Sequence, residues 1–260
     1  AFEVTENSAI TFCPGNHNIE LTVATSKLVV HGSGVEDTTW ISNPALTVTR
    51  NNVMVKLQDI TWKTTTTTPT LGMMVNTEGE DLDLQLIHVD IGPTLTGNYA
   101  TTSYAASLME VNGDLTMEES RILGVQFHNE VGASPWCTQV ALNVSGNLHL
   151  VNSEISGIDF LCRGGTHSAW PWQTSFGIQV GGDATLESTR FDGNFIEGSA
   201  LYGIGAQTDA ALLKIGGNLL AKDVAMLNNS LTTGLDCYYR DCSRYQTGGM
   251  VWAEGSIDWT

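Results

Sequence analysis

Aromatic side chains are frequent in the long stretches that separate short, strand-like segments of the sequence. Tryptophan and tyrosine rings can stack on sugar rings, and they also anchor protein–protein contacts. The predicted ligand-binding residues are Trp136, Trp170, Trp172, Tyr202, Tyr238 and Tyr239. The same rings could instead pack these stretches onto the body of the protein as satellite cores. The pattern by itself leaves both interpretations open.

Carboxylates in the same stretches offer the oxygen ligands that Ca²⁺ takes in proteins. The candidate cation ligands are Asp159, Asp192 and Asp236. The sequence contains no EF-hand loop and no Gly-Gly-x-Gly-x-Asp repeat, so only composition supports calcium, and no other cofactor is expected. His128 and His167 lack the partner spacing of a zinc site and are interpreted as ordinary polar residues.

Three charged residues recur at corresponding places in successive segments: Arg121, Glu154 and Arg190. Each lies between two apolar positions, so its side chain is expected to point outward from a strand. The spacing predicts an Arg–Glu–Arg column on one outer face. A ladder of alternating charges on a sheet surface is favoured over a catalytic base.

A short phrase, Gly-(Asp/Asn)-Leu or a close variant, positions these residues. It begins at Gly113, Gly146, Gly182 and Gly217, which are 33, 36 and 35 residues apart. A fixed period of this length is typical of stacked-repeat architectures. Each copy follows a short apolar run with the alternation of a β-strand. The polar residue of the phrase is expected to stack or hydrogen-bond at a bend.

The predicted fold is all-β: a single right-handed parallel β-helix of about seven turns, with long loops on one side. One domain covers residues 1–260, with N-terminal turns or a cap at 1–50, repeat turns at 51–254, and a further turn or cap at 255–260. The predicted interior positions are Leu28, Val30, Val53, Val55, Leu82, Leu84, Val111, Leu115, Met117, Ile122, Val144, Leu148, Leu150, Ile155, Val180, Leu186, Phe191 and Ile215.

The corners predict where the loops lie. Taking Lys27, Asn52, Asp81 and Asp114 as equivalent gives short early turns and turns of 33–36 residues later. The added length is expected to project as loops from one side, often the binding side of a solenoid. The predicted loops are 124–139, 157–175, 193–210 and 228–249.

Composition restricts the partners. The formal net charge is −17, from 11 basic and 28 acidic residues, which excludes nucleic acid as an expected partner. No stretch approaches 18 consecutive apolar residues, so no transmembrane segment is predicted. The oligomeric state is left undetermined.

The five cysteines lack metal-site spacing and are too sparse for a disulfide scaffold. Cys137 and Cys162 fall in corresponding loops of successive repeats, and Cys237 and Cys242 are close in sequence. Two bridges are predicted, with Cys13 buried as a small apolar residue. Disulfides would indicate an oxidising compartment, although reduced core cysteines would fit the same spacing.

The segment Ile10-Thr11-Phe12-Cys13-Pro14-Gly15, followed by Leu28-Val29-Val30-His31-Gly32-Ser33-Gly34 and Thr38-Thr39-Trp40-Ile41, resembles the first turns of pectin-lyase-like right-handed β-helices. It is most similar to secreted bacterial right-handed β-helix repeat proteins. The resemblance implies a secreted or cell-surface location. The same superfamily includes polysaccharide lyases and hydrolases, but no catalytic motif of that superfamily can be placed on this sequence.

The favoured function is therefore non-catalytic, adhesin-like recognition of a glycan or a surface protein through the aromatic loops. The alternatives are a polysaccharide-active lyase or hydrolase, a structural rod, and an ice-binding solenoid. Only the run Thr64–Thr68 suggests ice binding. Such a surface needs threonine at the same position of many turns, so a solvated loop is favoured for this run.

Overall fold

The computed structural model of the chain describes residues 2–41, 46–63, 74–92, 94–98, 104–129, 136–164, 172–201, 207–236 and 245–260. Within these ranges the regular secondary structure is entirely β-strand.

The first eight strands are β1 (Phe2–Val4), β2 (Ser8–Thr11), β3 (Gly15–His17), β4 (Leu21–Val23), β5 (Lys27–His31), β6 (Thr38–Ile41), β7 (Leu46–Val48) and β8 (Val53–Lys63). The next eleven are β9 (Val75–Thr77), β10 (Leu82–Ile91), β11 (Thr94–Asn98), β12 (Tyr104–Val111), β13 (Gly113–Glu118), β14 (Arg121–Leu123), β15 (Val125–Asn129), β16 (Trp136–Val144), β17 (Leu148–Val151), β18 (Glu154–Ser156) and β19 (Asp159–Gly164). The remaining ten are β20 (Trp172–Val180), β21 (Ala184–Glu187), β22 (Arg190–Asp192), β23 (Phe195–Leu201), β24 (Gln207–Ile215), β25 (Leu219–Lys222), β26 (Ala225–Leu227), β27 (Ser230–Asp236), β28 (Tyr245–Ala253) and β29 (Ile257–Trp259).

These strands form three parallel sheets that coil into a β-solenoid, which confirms the predicted fold class. The first sheet has nine strands in the order β1-β4-β7-β9-β12-β16-β20-β24-β28. The second has fifteen strands, including β13, β17, β21, β25 and β29 in one row and β14, β18, β22 and β26 in another. The third has five, β11-β15-β19-β23-β27. Parallel crossovers of this kind are right-handed in nearly all proteins.

The number of turns differs from the prediction of about seven. The chain passes through the first sheet nine times. The sequence phrase marks only the four regular turns that begin at Gly113, Gly146, Gly182 and Gly217. The early turns lack this phrase, so their count could not be read from it.

The predicted loops are partly wrong, because each contains a strand of the third sheet. The strands β15, β19, β23 and β27 lie in the four predicted loop segments, and β16, β20, β24 and β28 begin in them. Phe127 and Phe160, which belong to those segments, are fully buried, with ring centroids 5.0 Å apart. The third sheet thus closes the interior where loops were expected.

The interior is confirmed at every predicted position, with each of those eighteen side chains at most 2% exposed. Fully burying an aliphatic side chain of this size contributes about 1.5–3 kcal/mol. In the early turns, where the described residues include no strand of the third sheet, indole rings fill the interior. Trp40 and Trp62 are both fully buried and stack at 5.1 Å, and Phe12 packs edge-on against Trp40.

The repeated phrase forms a hydrogen-bonded ladder at the corner between the first and second sheets. Asp114 Oδ1 accepts hydrogen bonds from the Asn147 backbone N–H and Nδ2, at 2.7 and 3.2 Å. Asp183 accepts the same two bonds from Asn218. Asn147 Oδ1 accepts the Asp183 backbone N–H at 3.0 Å. We call Asp114, Asn147, Asp183 and Asn218 the corner ladder.

The glycine of the phrase is required by this ladder. A Cβ atom on Gly146 would lie 2.3 Å from Asp114 Oδ1 and 2.6 Å from the Gly113 carbonyl oxygen. A Cβ on Gly217 would lie 2.3 Å from Asp183 Oδ1. The carboxylate of one turn therefore occupies the space that a side chain of the next turn would need.

The predicted equivalence of the early corners is confirmed for Lys27, but it is wrong by two residues for Asn52 and Asp81. Asp114 pairs with Asp83 rather than Asp81, and Asp83 pairs with Met54 rather than with Asn52. Asn52 and Asp81 instead have left-handed backbone conformations, with φ of 56° and 59°. Asn and Asp tolerate this conformation better than most residues. Because the corner ladder also consists of Asn and Asp, Asn52 and Asp81 resemble ladder residues in the sequence.

A second set of polar contacts, absent from the sequence prediction, supports the bend within the second sheet. Ser120, Ser153 and Thr189 are buried there. Their hydroxyls donate to carbonyl oxygens of the preceding turn, at 3.1, 3.2 and 3.3 Å. These contacts satisfy backbone acceptors that the bend leaves without strand partners.

Candidate functional site

The loop side of the solenoid is defined by the strands that flank it. Strands of the third sheet precede the segments 130–135, 165–171, 202–206 and 237–244, and strands of the first sheet follow them. The register places Trp136 opposite Trp172, Trp172 opposite Gln207, and Gln207 opposite Tyr245. Two predicted site residues thus lie on adjacent strands.

The other predicted aromatic residues, Trp170, Tyr202, Tyr238 and Tyr239, lie outside the described residues, as does the threonine run at 64–68.

Partway along the strands of the first sheet, the alternation of inward and outward side chains is interrupted. Ala141 and Leu142 are both buried, as are Leu212 and Leu213, although neighbouring residues of a strand normally alternate between the two faces. A break of this kind re-aims the side chains that follow it. The next residue in each strand points outward.

These outward residues form a row across five neighbouring strands, which we call the outer row. Its members in register are Glu110, Asn143, Gln179, Lys214 and Trp252. All five side chains are half-buried, so each lies on the sheet and still contacts solvent. Asn143 Nδ2 donates a hydrogen bond to Glu110 Oε2 at 2.7 Å.

Lys214 is held between two aromatic rings. Its Nζ lies 4.7 Å from the centroid of the buried Phe176 ring and 5.2 Å from that of Trp252. Cation–π contacts at this distance fix the ammonium group over the sheet. Phe176 forms a small apolar cluster with Val140 and Ala211, apart from the main core. The outer row therefore combines ring, amide, ammonium and carboxylate groups on one surface.

The sequence contains a regular signal for the outer row. Each member stands three residues before a glycine of the corner: Glu110 before Gly113, Asn143 before Gly146, Lys214 before Gly217. The same offset relates Trp252 to Gly255. Because the residue type differs from turn to turn, this recurrence resembles ordinary strand alternation in the sequence.

The predicted column of charges is confirmed on the outer face of the second sheet. Arg121 pairs in register with Glu154, and Glu154 with Arg190, and Asp90 extends the column at one end. Arg121 donates to both oxygens of Asp90, with Nε 2.8 Å from Oδ1. These hydrogen bonds raise the pKa of Arg121. We call Asp90, Arg121, Glu154 and Arg190 the charge row.

The candidate cation ligands lie on three different strands. Asp159 lies in the third sheet and Asp192 in the second. Asp192 accepts hydrogen bonds from Arg190 and from Asn228, and these bonds lower its pKa. Asp236 ends β27, and its side chain is outside the described part. Within the described ranges, no three His, Cys, Asp or Glu side chains are grouped so as to hold a metal ion.

Three histidine–carboxylate contacts were not predicted. His31 Nε2 lies 3.2 Å from Asp59 Oδ2, and His88 Nδ1 lies 2.8 Å from Asp59 Oδ1. In the third sheet, His128 Nε2 lies 2.9 Å from Asp159 Oδ2. Residues from different turns make these contacts, so sequence spacing gives little indication of them.

An acidic groove of about 570 Å³ lies where the corner between the first and second sheets becomes shorter from one turn to the next. Six residues separate Thr77 from Leu84, but three separate the equivalent Val111 and Leu115. The groove is lined by Glu80, Asp81, Leu82, Asp83, Asn112, Gly113, Asp114, Ser145 and Gly146. It results from the step between long and short corners.

The prediction that Cys13 is buried is wrong. Cys13 is exposed and its thiol is free, because the preceding Phe12 takes the buried position. Cys137 is buried and lies in β16, and Cys162 lies in β19 of the same turn, so both belong to strands rather than to loops of successive repeats. Their pairing stays a prediction. Cys237 and Cys242 lie outside the described residues.

In the part of the chain that the structure describes, there is no helix long and apolar enough to cross a membrane. No protein-family model, curated protein or solved structure matches the chain. The structure shows a parallel β-solenoid, whereas the likeness to pectin-lyase-like proteins stays a resemblance of sequence pattern, and a fold alone assigns no function.

Proposed function

We propose that this protein is a non-catalytic, adhesin-like recognition protein that binds an extended glycan along the outer row. The observation that carries the proposal is the alignment of Glu110, Asn143, Gln179, Lys214 and Trp252 on five adjacent strands. The same strands begin at the loop side, where Trp136 lies opposite Trp172. One sheet therefore carries both the outer row and two of the predicted aromatic residues.

The spacing of the row suits a linear ligand. Neighbouring strands lie about 4.8 Å apart, so the five positions extend over about 19 Å. Amide side chains both donate and accept hydrogen bonds, as sugar hydroxyls do, and Lys214 adds donors. Trp252 supplies a ring on which the apolar face of a sugar can pack. A protein partner is the other ligand class, and the binding test separates the two.

The non-catalytic character follows from the chemistry of the row itself. Hydrolysis of a glycosidic bond commonly needs two carboxyl groups about 5–10 Å apart. Glu110 is the only carboxylate among the five members of the row, and it accepts a hydrogen bond from Asn143. The row offers groups for binding but lacks an acid–base pair.

The proposal is tested by measuring binding to soluble neutral and acidic polysaccharides by calorimetry. Gln179→Ala and Lys214→Met are expected to weaken binding about fivefold to tenfold each, since a hydrogen bond contributes about 1–1.5 kcal/mol. Thr116→Ala, on the outer face of the second sheet, is the matched control and should leave affinity unchanged. If no polysaccharide binds, or if the row variants bind as the wild type does, glycan recognition on this face is excluded.

A secreted or cell-surface location is part of the proposal, and it predicts an oxidised protein. Cys137 and Cys162 lie in β16 and β19 of one turn, and a bridge between them would join the first and third sheets. Mass spectrometry of non-reduced peptides from the natural source is expected to show this link. Recovery of the two cysteines as free thiols would argue against an oxidising compartment.

A polysaccharide-active enzyme is a second candidate, favoured by one contact. His128 Nε2 lies 2.9 Å from Asp159 Oδ2 without hydrogen-bond geometry, so an imidazole and a carboxylate, two groups used in general acid–base catalysis, lie side by side. This candidate predicts product release from a polysaccharide and its loss in Asp159→Asn. The absence of product across a broad panel, with and without calcium, would eliminate it.

A further inference from the structure

Three further residues continue the outer row into the early turns. Thr22 of β4 is in register with Thr47 of β7, and Thr47 is in register with Asn76 of β9. Asn76 leads on to Glu110, since each follows a residue of the pair that joins β9 to β12. The column is therefore continuous across eight neighbouring strands of the first sheet, from Thr22 to Trp252. We call Thr22, Thr47 and Asn76 the neutral extension.

The neutral extension lies on the surface of the sheet with its polar groups unused. All three side chains are half-buried, and the residues on either side of each one in its strand are buried. Within the described residues, none of the three makes a side-chain hydrogen bond. The asparagines of the corner ladder, by contrast, are hydrogen-bonded through their side chains. The extension thus keeps donors and acceptors that a ligand can use.

The outer face of the second sheet differs in this respect. Its charge row consists of groups that bind each other or a neighbour. Arg121 donates to Asp90, and Arg190 donates to Asp192. A ligand would have to displace these contacts, whereas along the neutral extension it would displace water.

The charges along the column favour an uncharged ligand. Glu110 lies near its centre, and Glu3 of β1 adds a second carboxylate at one end. Lys214 is the one cation of the column, and its ammonium group is held over the rings of Phe176 and Trp252. An acidic polymer on this surface would bring its anionic groups close to the two carboxylates. The formal net charge of −17 adds to this repulsion.

We propose that the ligand is a neutral polysaccharide that lies across all eight strands, with the neutral extension providing additional subsites; this inference rests on the proposed glycan-binding function. Strand spacings of about 4.8 Å give the column a length of about 34 Å. A sugar unit of an extended chain is about as long as one strand spacing, so the site contacts about eight units. The hydroxyls and the amide of the extension both donate and accept hydrogen bonds, as uncharged sugars do.

The charge of the ligand is tested by calorimetry with soluble β-glucan, xylan, mannan and galactan, each beside its carboxymethylated form. A neutral polymer is expected to bind, and its carboxymethylated form to bind about tenfold more weakly, because like charges meet at Glu110. The hydroxyethylated form, with uncharged substituents of similar size, is the matched control and should bind as the parent polymer does. Affinity for the neutral polymer should not change with salt concentration, since no ion pair forms. Equal or tighter binding of the carboxymethylated form would overturn the proposal.

The length of the site is tested with graded oligomers of the neutral polymer that binds. Affinity should rise with chain length up to about eight units and then level off, because longer oligomers reach no further positions. In the double variant Thr47→Val with Asn76→Ala, affinity should level off at about five units. The affinity of this variant for long oligomers should fall about tenfold, since two hydrogen bonds are lost.

The matched control for the double variant is Thr185→Val. Thr185 is also half-buried and points outward, but it lies on the second sheet, in register with His149 and Leu220. This variant should keep the length dependence of the wild type. Circular dichroism checks that both variants are folded.

Failure of this inference differs from failure of the proposed function. If no polysaccharide binds, or if Gln179→Ala has no effect on binding, the proposed function is wrong and this inference with it. A different result would overturn the inference alone: Gln179→Ala weakens binding, but Thr47→Val with Asn76→Ala binds oligomers of every length as the wild type does. The outer row would then bind the glycan without the neutral extension.

Discussion

The early turns and the regular turns of this solenoid are held together by different means. From β1 to β8, the interior contains stacked indole rings, and the corner column carries Lys27 and Met54 instead of a ladder. From β11 onward, a third sheet closes the interior, and from β13 onward the corner ladder links successive turns. The difference indicates that a solenoid turn needs a filled interior and fixed corners, and that different residues can provide them.

The largest expected effect concerns the indole stack of the early turns. Trp40→Ala should destabilise the protein by about 3–5 kcal/mol, because it leaves a cavity beside Trp62. Thermal or denaturant unfolding measures this. A loss below about 1 kcal/mol would show that the early turns do not depend on their ring stack.

The same stack offers an internal comparison. The Trp40 indole N–H donates to the Ile19 carbonyl oxygen at 2.7 Å, whereas the Trp62 indole N–H is buried and has no hydrogen-bond partner among the described residues. Trp40→Phe should therefore cost more than Trp62→Phe, by about 1 kcal/mol or more. Equal losses would contradict this distinction.

The next effect concerns the corners of the regular turns. Gly146→Ala should cost about 2–3 kcal/mol, since its Cβ would overlap Asp114 Oδ1 and the Gly113 carbonyl oxygen. Gly193→Ala is the control. Gly193 has open space around a Cβ and a φ of 62°, so only backbone strain of about 1 kcal/mol is expected. Similar unfolding free energies for the two variants would show that the close contact is not decisive.

A smaller effect is expected from the alternation of acid and amide in the corner ladder. Asn147→Asp removes the Nδ2 donor to Asp114 and places three carboxylates in adjacent turns, so it should cost about 1 kcal/mol at neutral pH. Asp183→Asn keeps the acceptor Oδ1 and removes a charge. Its unfolding free energy should stay within about 0.5 kcal/mol of the wild type. If both variants lose equal stability, the alternation has no role.

The smallest effect concerns the charge row and the carboxyl of Asp192, which contacts its member Arg190. In the early turns the same column is neutral, because Thr39 and Thr61 occupy it. Hydrogen bonds from Arg190 and Asn228 lower the pKa of Asp192. A carboxyl whose pKa falls on folding stabilises the protein above its unfolded pKa of about 3.9, and this stabilisation is lost as the pH falls through the folded pKa.

NMR titration should accordingly find Asp192 ionised below the usual range of an aspartate. In Arg190→Gln, its pKa should move back up toward the ordinary value. An unshifted carboxyl in the wild-type protein would show that the contact is absent in solution.

Much of the fold was predictable because it depends on local periodicity. Alternation of apolar and polar residues decides which face of a strand is buried, and this identified the interior column from Leu28 to Ile215. The charge row was predictable for the same reason, since Arg121, Glu154 and Arg190 share one offset from the repeated phrase. The outer row had an equally regular offset, but its five residue types differ, so the pattern was not recognised.

The amino-acid sequence by itself determined that this chain coils into parallel β-turns and which side chains fill them. Only the tertiary structure decided that the presumed loops contain a third sheet, that Cys13 is exposed, and that Asp114 pairs with Asp83. The physical reason is that strand pairing joins residues 19 to 38 positions apart. Their register depends on how each turn closes around its core, and a short stretch of sequence carries no direct record of that closure.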